Sequence, residues 1–143
     1  MRVYNASIAK KISKSFPCKG NLLEYGAGIG TLATLFEARE GLKPKCLEID
    51  PDLKRVLVER GFKCYDNIEQ IDELFDGVYT SNVLEHIEDD VRSLKKIRSV
   101  MKPQSNLVVY VPAFKCLYSS WDASVGHHRR YDKKEIIFKL DAA

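Results

Sequence analysis

A glycine-rich turn follows the first short apolar segment of the chain. It begins at Glu24 and contains Gly26, Gly28 and Gly30. Alternating glycines let a backbone turn sharply and bring its amide groups close to a ligand. The turn departs from the dinucleotide fingerprint Gly-x-Gly-x-x-Gly, because Thr31 occupies the last glycine position. A carboxylate at Glu24 would also repel a pyrophosphate, which favours a ligand that carries an ammonium group and no phosphate.

Three further polar residues each follow a predicted strand. Glu48 lies at the end of the second strand, about 20 residues past the glycines, where an acid can accept hydrogen bonds from ribose hydroxyls. Because an unpaired carboxylate at a buried strand end is costly, a ligand role for Glu48 is favoured. Asp66 follows the third strand and Asn82 the fourth. Asp66 also fits a helix cap before Ile68, and Asn82 also fits a turn cap.

The segment 118–131 concentrates chemically useful side chains in a stretch with the composition of a loop. It holds the only Trp, two of the three His and two adjacent Arg. Arg129 or Arg130 can hold a carboxylate or phosphate, and His127 or His128 can take a proton from a hydroxyl or an amine. The alternative is a structural segment in which the histidines pack. In that case the arginines pair with nearby acids, namely Asp122, Asp132 or Glu135.

We expect no metal site in this sequence. Adjacent histidines such as His127 and His128 seldom point to one ion, and no third ligand has suitable spacing. Earlier in the chain, we expect Glu85 to be a solvated helix residue rather than a ligand-binding one. The cysteines Cys18, Cys46, Cys64 and Cys116 form no Cys-x-x-Cys pair, so we interpret Cys46 and Cys64 as small core residues.

Apolar periodicity predicts the elements that position these residues. Strands are predicted at 21–25, 45–49, 62–65, 75–80 and 106–111, and helices at 7–16, 31–39, 52–60, 89–101 and after Asp132. Pro17 and Lys102-Pro103 are expected to end helices. Asp132 and Glu135 have the form of a capping box.

The alternation of strands and helices predicts a single α/β domain over residues 1–143. Nearly continuous apolar strands are typical of a parallel sheet covered on both faces. In such a sheet, ligands bind at the carboxyl ends of the strands, beside the point where the strand order reverses.

In this order and spacing, the motifs resemble class I S-adenosylmethionine-dependent methyltransferases, in particular the branch that acts on small molecules. The resemblance extends from about Leu22 to the end of the chain. It is carried by residues 24–30, 47–51, 75–87 and 94–103. It implies a Rossmann-like, doubly wound sheet of five mostly parallel strands in the order 3-2-1-4-5. The antiparallel strands 6 and 7 that usually close this fold are expected to be absent.

The resemblance also implies a cofactor, S-adenosyl-L-methionine (SAM), and roles for individual residues. The implied cofactor-binding residues are Glu24, Gly26, Gly28 and Gly30 at the methionine end, Glu48 at the ribose, Ile49 and Asp66 at the adenine, and Asn82 beside the methyl donor. The implied substrate residues are His86, Arg129, Arg130 and Tyr131, and the implied catalytic residues are His127 and His128. His86 is equally compatible with a packed side chain that holds its loop. The acceptor is expected to be a small molecule.

Composition excludes several other function classes. The 23 Lys and Arg residues against 20 Asp and Glu leave a net charge of +3, spread along the chain, which does not indicate nucleic-acid binding. The apolar stretches fall far short of the roughly 20 residues that span a membrane. The N-terminus lacks the apolar run of a secretory signal, and the cysteine pattern fits a reduced compartment, so we expect a cytoplasmic protein.

Two other interpretations remain open. The strand at 107–111 is expected at an open edge of the sheet, so the chain is either a shortened cofactor-binding domain without turnover or one completed by a partner, including a second copy of itself. An NAD-dependent oxidoreductase is the remote alternative, because Gly26, Gly28 and Glu48 suit both cofactor types.

Overall fold

The computed structural model describes residues 2–16 and 20–143, so the predicted helix end at Pro17 and the cysteine Cys18 lie outside the described residues. The helices are α1 (Arg2–Ser13), α2 (Thr31–Glu40), α3 (Pro51–Glu59), α4 (Asp90–Ser99), α5 (Ser120–Ser124) and α6 (Lys133–Asp141). The strands are β1 (Leu22–Tyr25), β2 (Lys45–Leu47), β3 (Cys64–Tyr65), β4 (Phe75–Ser81) and β5 (Met101–Tyr110). Short 3₁₀ turns lie at Ile68–Gln70, Leu84–His86 and Lys115–Leu117.

The strands form one sheet in the order β3-β2-β1-β4-β5. All four strand pairings are parallel, which confirms the predicted doubly wound sheet. Within the described residues the sheet has these five strands, and β5 lies at an edge as expected. The strand order reverses between β1 and β4, which places a crevice there.

The two faces of the sheet are covered by different helices. Side chains alternate along β1, so Leu22 packs with α1, α2 and Tyr79, whereas Leu23 packs with α4 and Val78. Helix α3 joins the first face through Leu57, beside Cys46. Cys46 is fully buried and Cys64 packs against the same cluster, in agreement with their predicted core role. Among the described helices, none is long and apolar enough to cross a membrane.

The start of β5 differs from the prediction. Helix α4 ends at Ser99, and Lys102 and Pro103 lie within the strand rather than ending a helix. Pro103 is tolerated because edge strands have one unpaired side, where a missing N–H costs no ladder bond. A register irregularity between Phe75 and Gly77 of β4 accompanies this segment. The polar residues at 102–104 are exposed, which explains why apolar patterning predicted only the later part of the strand.

The predicted capping box is also misplaced. Asp132 does precede α6, but its side chain makes no cap hydrogen bond, and the Glu135 carboxylate instead lies 2.9 Å from Lys115 Nζ. The structure has a capping box at Ser119 and Asp122, where it begins α5. Residues 118–131 are therefore partly helical rather than a loop throughout.

Gly77 of β4 allows the closest approach between the sheet and the segment after α1. A Cβ at this position would lie 2.3 Å from Phe16 Cε1 and 2.4 Å from Phe16 Cδ1. We expect Gly77→Ala to lower the free energy of unfolding by roughly 1–3 kcal/mol, because the ring must move within a packed core. Phe16→Leu should recover part of that loss in the double variant. Urea unfolding of the wild type, both single variants and the double variant measures the coupling, and strictly additive effects would contradict this packing.

Candidate functional site

A cavity of about 340 Å³ opens at the carboxyl ends of β1, β2 and β4. The strand register creates it, because Tyr25 of β1 lies level with both Leu47 of β2 and Thr80 of β4. The residues that follow these strands therefore share one edge of the sheet. Six of the predicted site residues line this cavity, namely Gly26, Gly28, Glu48, Ile49, Asn82 and His86.

The glycines of the turn after β1 contact different parts of the protein. Gly26 has a φ of +74°, and a Cβ there would lie 2.4 Å from Val83 Cγ2. The turn after β1 thus contacts the segment after β4 directly. Gly30 has a φ of +77° and caps the start of α2 against Leu57, outside the cavity lining. Gly26 and Gly28 face the cavity, whereas Gly30 supports the turn from behind.

Glu48 holds the turn after β1 and the start of α3 together. Its Oε2 accepts a hydrogen bond from Gly28 N at 2.7 Å, and its Oε1 accepts one from Asp50 N at 3.0 Å. The side chain is buried at the cavity wall. Each carboxylate oxygen retains a further lone pair, so the group can still accept hydrogen bonds from a ligand diol.

Glu24 lies beneath the turn rather than in the cavity lining. It is buried, and its Oε2 accepts a hydrogen bond from the Tyr79 hydroxyl at 3.0 Å. Burial raises the pKa of Glu24 to about 8, because the charged form is poorly solvated there. The predicted contact between Glu24 and the methionine end of a cofactor stays a prediction.

Asp66 lines a neighbouring cavity of about 360 Å³, which shares Tyr25, Leu47 and Ile49 with the first. Asn67, not Asp66, caps the 3₁₀ turn at Ile68, so the cap interpretation of Asp66 is wrong. The Asp66 carboxylate instead lies 2.6 Å from Lys54 Nζ. Asp66 and Ile49 line the same cavity, and their predicted contact with an adenine stays a prediction.

Asn82 occupies a strained position at the end of β4. Its φ is +55°, in the left-handed region that asparagine tolerates better than most residues. Its backbone N–H donates to Tyr110 O at 2.8 Å, which links it to β5, and its side chain is exposed to the cavity. The turn interpretation and the ligand interpretation of Asn82 are therefore compatible.

Glu85 is the largest departure from the sequence prediction. It was expected to be solvated, but it is fully buried, and neither carboxylate oxygen has a hydrogen-bond partner in the described residues. Burial raises its pKa above the ordinary value. One ligand atom of Glu85 lies within 4.8 Å of one from each of His86 and His127. We call these three residues the Glu-His-His cluster.

The two histidines of the cluster are held in defined orientations. Their rings meet edge to face with centroids 4.6 Å apart. His86 Nδ1 lies 3.2 Å from Gly126 O, and His127 Nδ1 lies 3.0 Å from Asp122 Oδ1. A proton on each Nδ1 makes both hydrogen bonds, which leaves each Nε2 as an acceptor. His128 differs: its backbone N–H donates to Glu85 O, and its side chain is exposed.

Asp122 organises the segment that carries His127. Its carboxylate accepts hydrogen bonds from Arg130 Nε at 2.8 Å and from Ser119 N at 2.9 Å, as well as from His127. The Arg130 guanidinium, His127 and Ser119 together hold the pKa of Asp122 well below its usual range. The Arg130–Asp122 pair is one of the structural pairings left open by the sequence.

Arg129 and Tyr131 have protein partners around Asp90. Arg129 donates to Ile87 O, Glu88 O and Asp90 Oδ2, and the Tyr131 hydroxyl donates to Asp90 Oδ2 at 2.8 Å. Lys139 adds a third donor to the same carboxylate. These contacts tie the segment after β5 to the segment after β4, so substrate roles for Arg129 and Tyr131 stay predictions.

Sequence patterning did not identify Glu85, Asp90 and Asp122 as buried acids. Glu85 lies in a 3₁₀ turn, where helical periodicity does not report which face is buried. Asp90 and Asp122 are partnered by residues about 40 and 8 positions away, respectively. The sequence signal for these acids was the density of Arg and His in residues 127–130, because such cationic side chains commonly pair with acids elsewhere in the fold.

The raised pKa of Glu24 predicts a specific pH dependence of stability. Because the folded-state pKa is about 8 and the ordinary value is 4.5, the free energy of unfolding should fall as pH rises between these values. The upper limit of the loss is about 4–5 kcal/mol, since one pKa unit corresponds to about 1.4 kcal/mol. Glu24→Gln, which keeps an acceptor for Tyr79, should remove most of this dependence. Urea unfolding at pH 5 to 8 measures it, with exposed Glu59→Gln as control, and parallel curves for the wild type and Glu24→Gln would contradict the prediction.

Several solved structures share the fold of this chain. A SAM-dependent methyltransferase from Archaeoglobus fulgidus superposes with a TM-score of 0.80 at 21% identity, over 99% of this chain and 67% of the other. A SAM-dependent methyltransferase from Thermotoga maritima gives a TM-score of 0.74 at 19% identity, over 96% and 69%. The glycopeptide N-methyltransferase MtfA, in complex with S-adenosyl-L-homocysteine, gives 0.69 at 16% identity, over 77% and 49%. At these identities the likeness shows the fold, and the chain spans about two thirds or less of each of these proteins.

A comparison with curated proteins gave no match. The family model described as a methyltransferase domain matches residues 1–137, which is nearly the whole chain. The chain therefore belongs to the methyltransferase domain family, and it has the Rossmann-like fold of SAM-dependent methyltransferases.

Proposed function

We propose that this protein binds SAM at the edge formed by β1, β2 and β4 and transfers its methyl group to a small-molecule acceptor. The observation that carries the proposal is the shared cavity, where the glycine turn, the Glu48 carboxylate and the Ile49 side chain come together at the switch point of the sheet. A ribose needs an acid, an adenine needs an apolar surface, and both are present in adjoining cavities.

The polar groups of the site suit a ligand without phosphates. Glu48 already accepts the Gly28 amide, so that N–H does not form an anion-binding cradle. The Glu24 carboxylate below the turn would ionise more readily beside an ammonium group. The Ile49 side chain is 78% exposed, which leaves an apolar surface for an adenine ring to cover. These features support SAM over a pyrophosphate-containing dinucleotide.

The acceptor is proposed to bind on the side of the cavity formed by His86. His86 lines the cofactor cavity and contacts His127, whose Nδ1 is held by Asp122. We therefore propose His127 rather than His128 for activating the nucleophile. The orienting acid fixes the tautomer of His127, whereas the structure holds no comparable partner for the exposed ring of His128 among the described residues.

The chemical demand on the protein is modest. When bound, SAM supplies a methyl group that its sulfonium makes strongly electrophilic. The chain's own residues then have to hold the acceptor in line at near-contact distance, exclude competing orientations and accept or redirect a proton. No side chain needs to form a covalent intermediate.

Titration calorimetry tests the proposal. We expect S-adenosyl-L-homocysteine to bind the purified chain, and Glu48→Ala to weaken that binding by about 10–100-fold through loss of the ribose acceptor. Glu48→Gln separates this effect from folding, because it keeps one acceptor oxygen for the turn. Glu59→Ala, at an exposed position of α3, serves as the matched control.

Ligand titrations also distinguish SAM from the competing nicotinamide cofactor. No heat with S-adenosyl-L-homocysteine, together with saturable quenching by reduced nicotinamide cofactor, would reject methyl transfer in favour of an oxidoreductase. An unchanged affinity in Glu48→Ala would reject the proposed placement of the ribose.

An association through β5 is a second candidate property. The strand lies at the edge of the sheet, and its residues 107–110 are only half-buried. An edge of this kind can pair with another chain, including a second copy. Sedimentation velocity tests this association. A concentration-dependent dimer supports pairing through β5, whereas a monomer that transfers methyl groups shows that methyl transfer does not require the pairing.

A further inference from the structure

We propose that Glu85, His86 and His127 form a binding site for a divalent first-row transition-metal cation such as Zn²⁺, at the acceptor side of the cofactor cavity. Two imidazoles and one carboxylate make up a donor set that suits zinc in catalytic sites, where a fourth position stays open for water or substrate. The three residues are the Glu-His-His cluster described above. Among the described residues it is the group whose ligand atoms converge in this way.

The unpartnered carboxylate is the first argument. Glu85 is fully buried, and neither of its oxygens has a hydrogen-bond donor in the part of the chain that the structure describes. Each of the other buried acids has at least one hydrogen-bond donor. Asp90 and Asp122 receive several, Glu48 receives two and Glu24 receives one from Tyr79. An ionised carboxylate without a partner is costly in the interior, whereas coordination to a cation would satisfy it.

The orientation of the two imidazoles is the second, independent argument. A metal-binding histidine commonly donates its other ring N–H to a carboxylate or a backbone carbonyl. His127 Nδ1 faces Asp122 Oδ1, and His86 Nδ1 faces Gly126 O. Both rings therefore have the supporting hydrogen bond in place and keep Nε2 free for a ligand role.

The spacing requires only small movements. The ligand atoms of the cluster lie within 4.8 Å of one another, whereas donors about 2.1 Å from a tetrahedral ion lie roughly 3.4 Å apart. The difference of at most about 1.5 Å is within reach of side-chain rotation, because the His86 ring is exposed.

The position of the site gives it a role within the proposed function, on which this part of the inference rests. Because His86 lines the cavity that we assign to SAM, an ion held by the cluster would lie at the wall of that cavity, where an acceptor could take its fourth position. A coordinated hydroxyl has a lowered pKa, and its proton would pass to solvent. The substrate class that fits is an acceptor with a hydroxyl or a similar oxygen donor, and His127 would act through the ion rather than as a free base.

Metal titration of the chelator-treated chain tests the site directly. We expect calorimetry with zinc chloride to give about one ion per chain, and cobalt chloride to give the visible absorption of a low-coordinate cobalt centre. Glu85→Gln and His86→Ala should each weaken zinc binding by about 100-fold or more. Glu88→Gln and His128→Ala are the matched controls, since each removes an exposed side chain of the same type nearby and should leave zinc affinity unchanged.

Folding and cofactor binding are measured on the same samples. Glu85→Gln replaces a buried carboxylate by a neutral group of the same shape, so we expect it to fold, and thermal unfolding without metal verifies this. Zinc should raise the melting temperature of the wild type and of both controls but not of Glu85→Gln. If the chain binds S-adenosyl-L-homocysteine but not zinc, or if Glu85→Gln and His86→Ala bind zinc as tightly as the wild type, the metal site is rejected. If it binds zinc but not S-adenosyl-L-homocysteine, the metal site stands and the proposed function fails.

Discussion

The pairing of β1 with β2 on one side and β4 on the other is the constraint on which the site depends. Both pairings are parallel and in register, so the three strands end at the same height. Since β1 and β4 are neighbours in the sheet but not in the sequence, their loops diverge to opposite faces and leave a crevice. The glycine turn, Glu48 and Asn82 lie around this crevice because the paired strands end there. Strand pairing alone brings them together, without side-chain contacts.

The buried acids of this fold fall into two groups that differ in how well they are satisfied. Asp90 accepts hydrogen bonds from Arg129 and Tyr131, about 40 positions later, and so ties the end of residues 118–131 to the segment after β4. Asp122 accepts hydrogen bonds from Ser119, His127 and Arg130, and so holds the segment 118–131 together from within. Glu24 has a single side-chain donor, and Glu85 has none among the described residues. The well-partnered acids have a structural role, whereas the poorly partnered ones lie under the glycine turn and at the histidine pair. These are the two places where the proposed cofactor and the proposed metal ion would supply the missing partner.

Local sequence patterns predicted the sheet well because its strands are short, apolar and separated by glycine, proline or acidic turns. The shared location of Gly26, Glu48 and Asn82 followed from that pattern, whereas the order 3-2-1-4-5 was implied by the family resemblance. Prediction failed where tertiary contacts override local preference. Pro103 is acceptable in a strand because β5 lies at the edge of the sheet. The Glu135 carboxylate lies beside Lys115 Nζ rather than at the expected helix cap. The burial of Glu85 depends on residues about 40 positions later and left no local trace.

The contact between Gly26 and Val83 joins the two loops that border the crevice. There is no space for even one additional carbon between them, because a Cβ on Gly26 would overlap the Val83 side chain. Two surfaces in such close contact cannot slide or separate independently without opening a void or a clash. Since Val83 directly precedes the turn that holds Glu85 and His86, a movement of the glycine turn toward Val83 would press on the histidine side of the crevice. The two halves of the crevice therefore share one tightly packed wall.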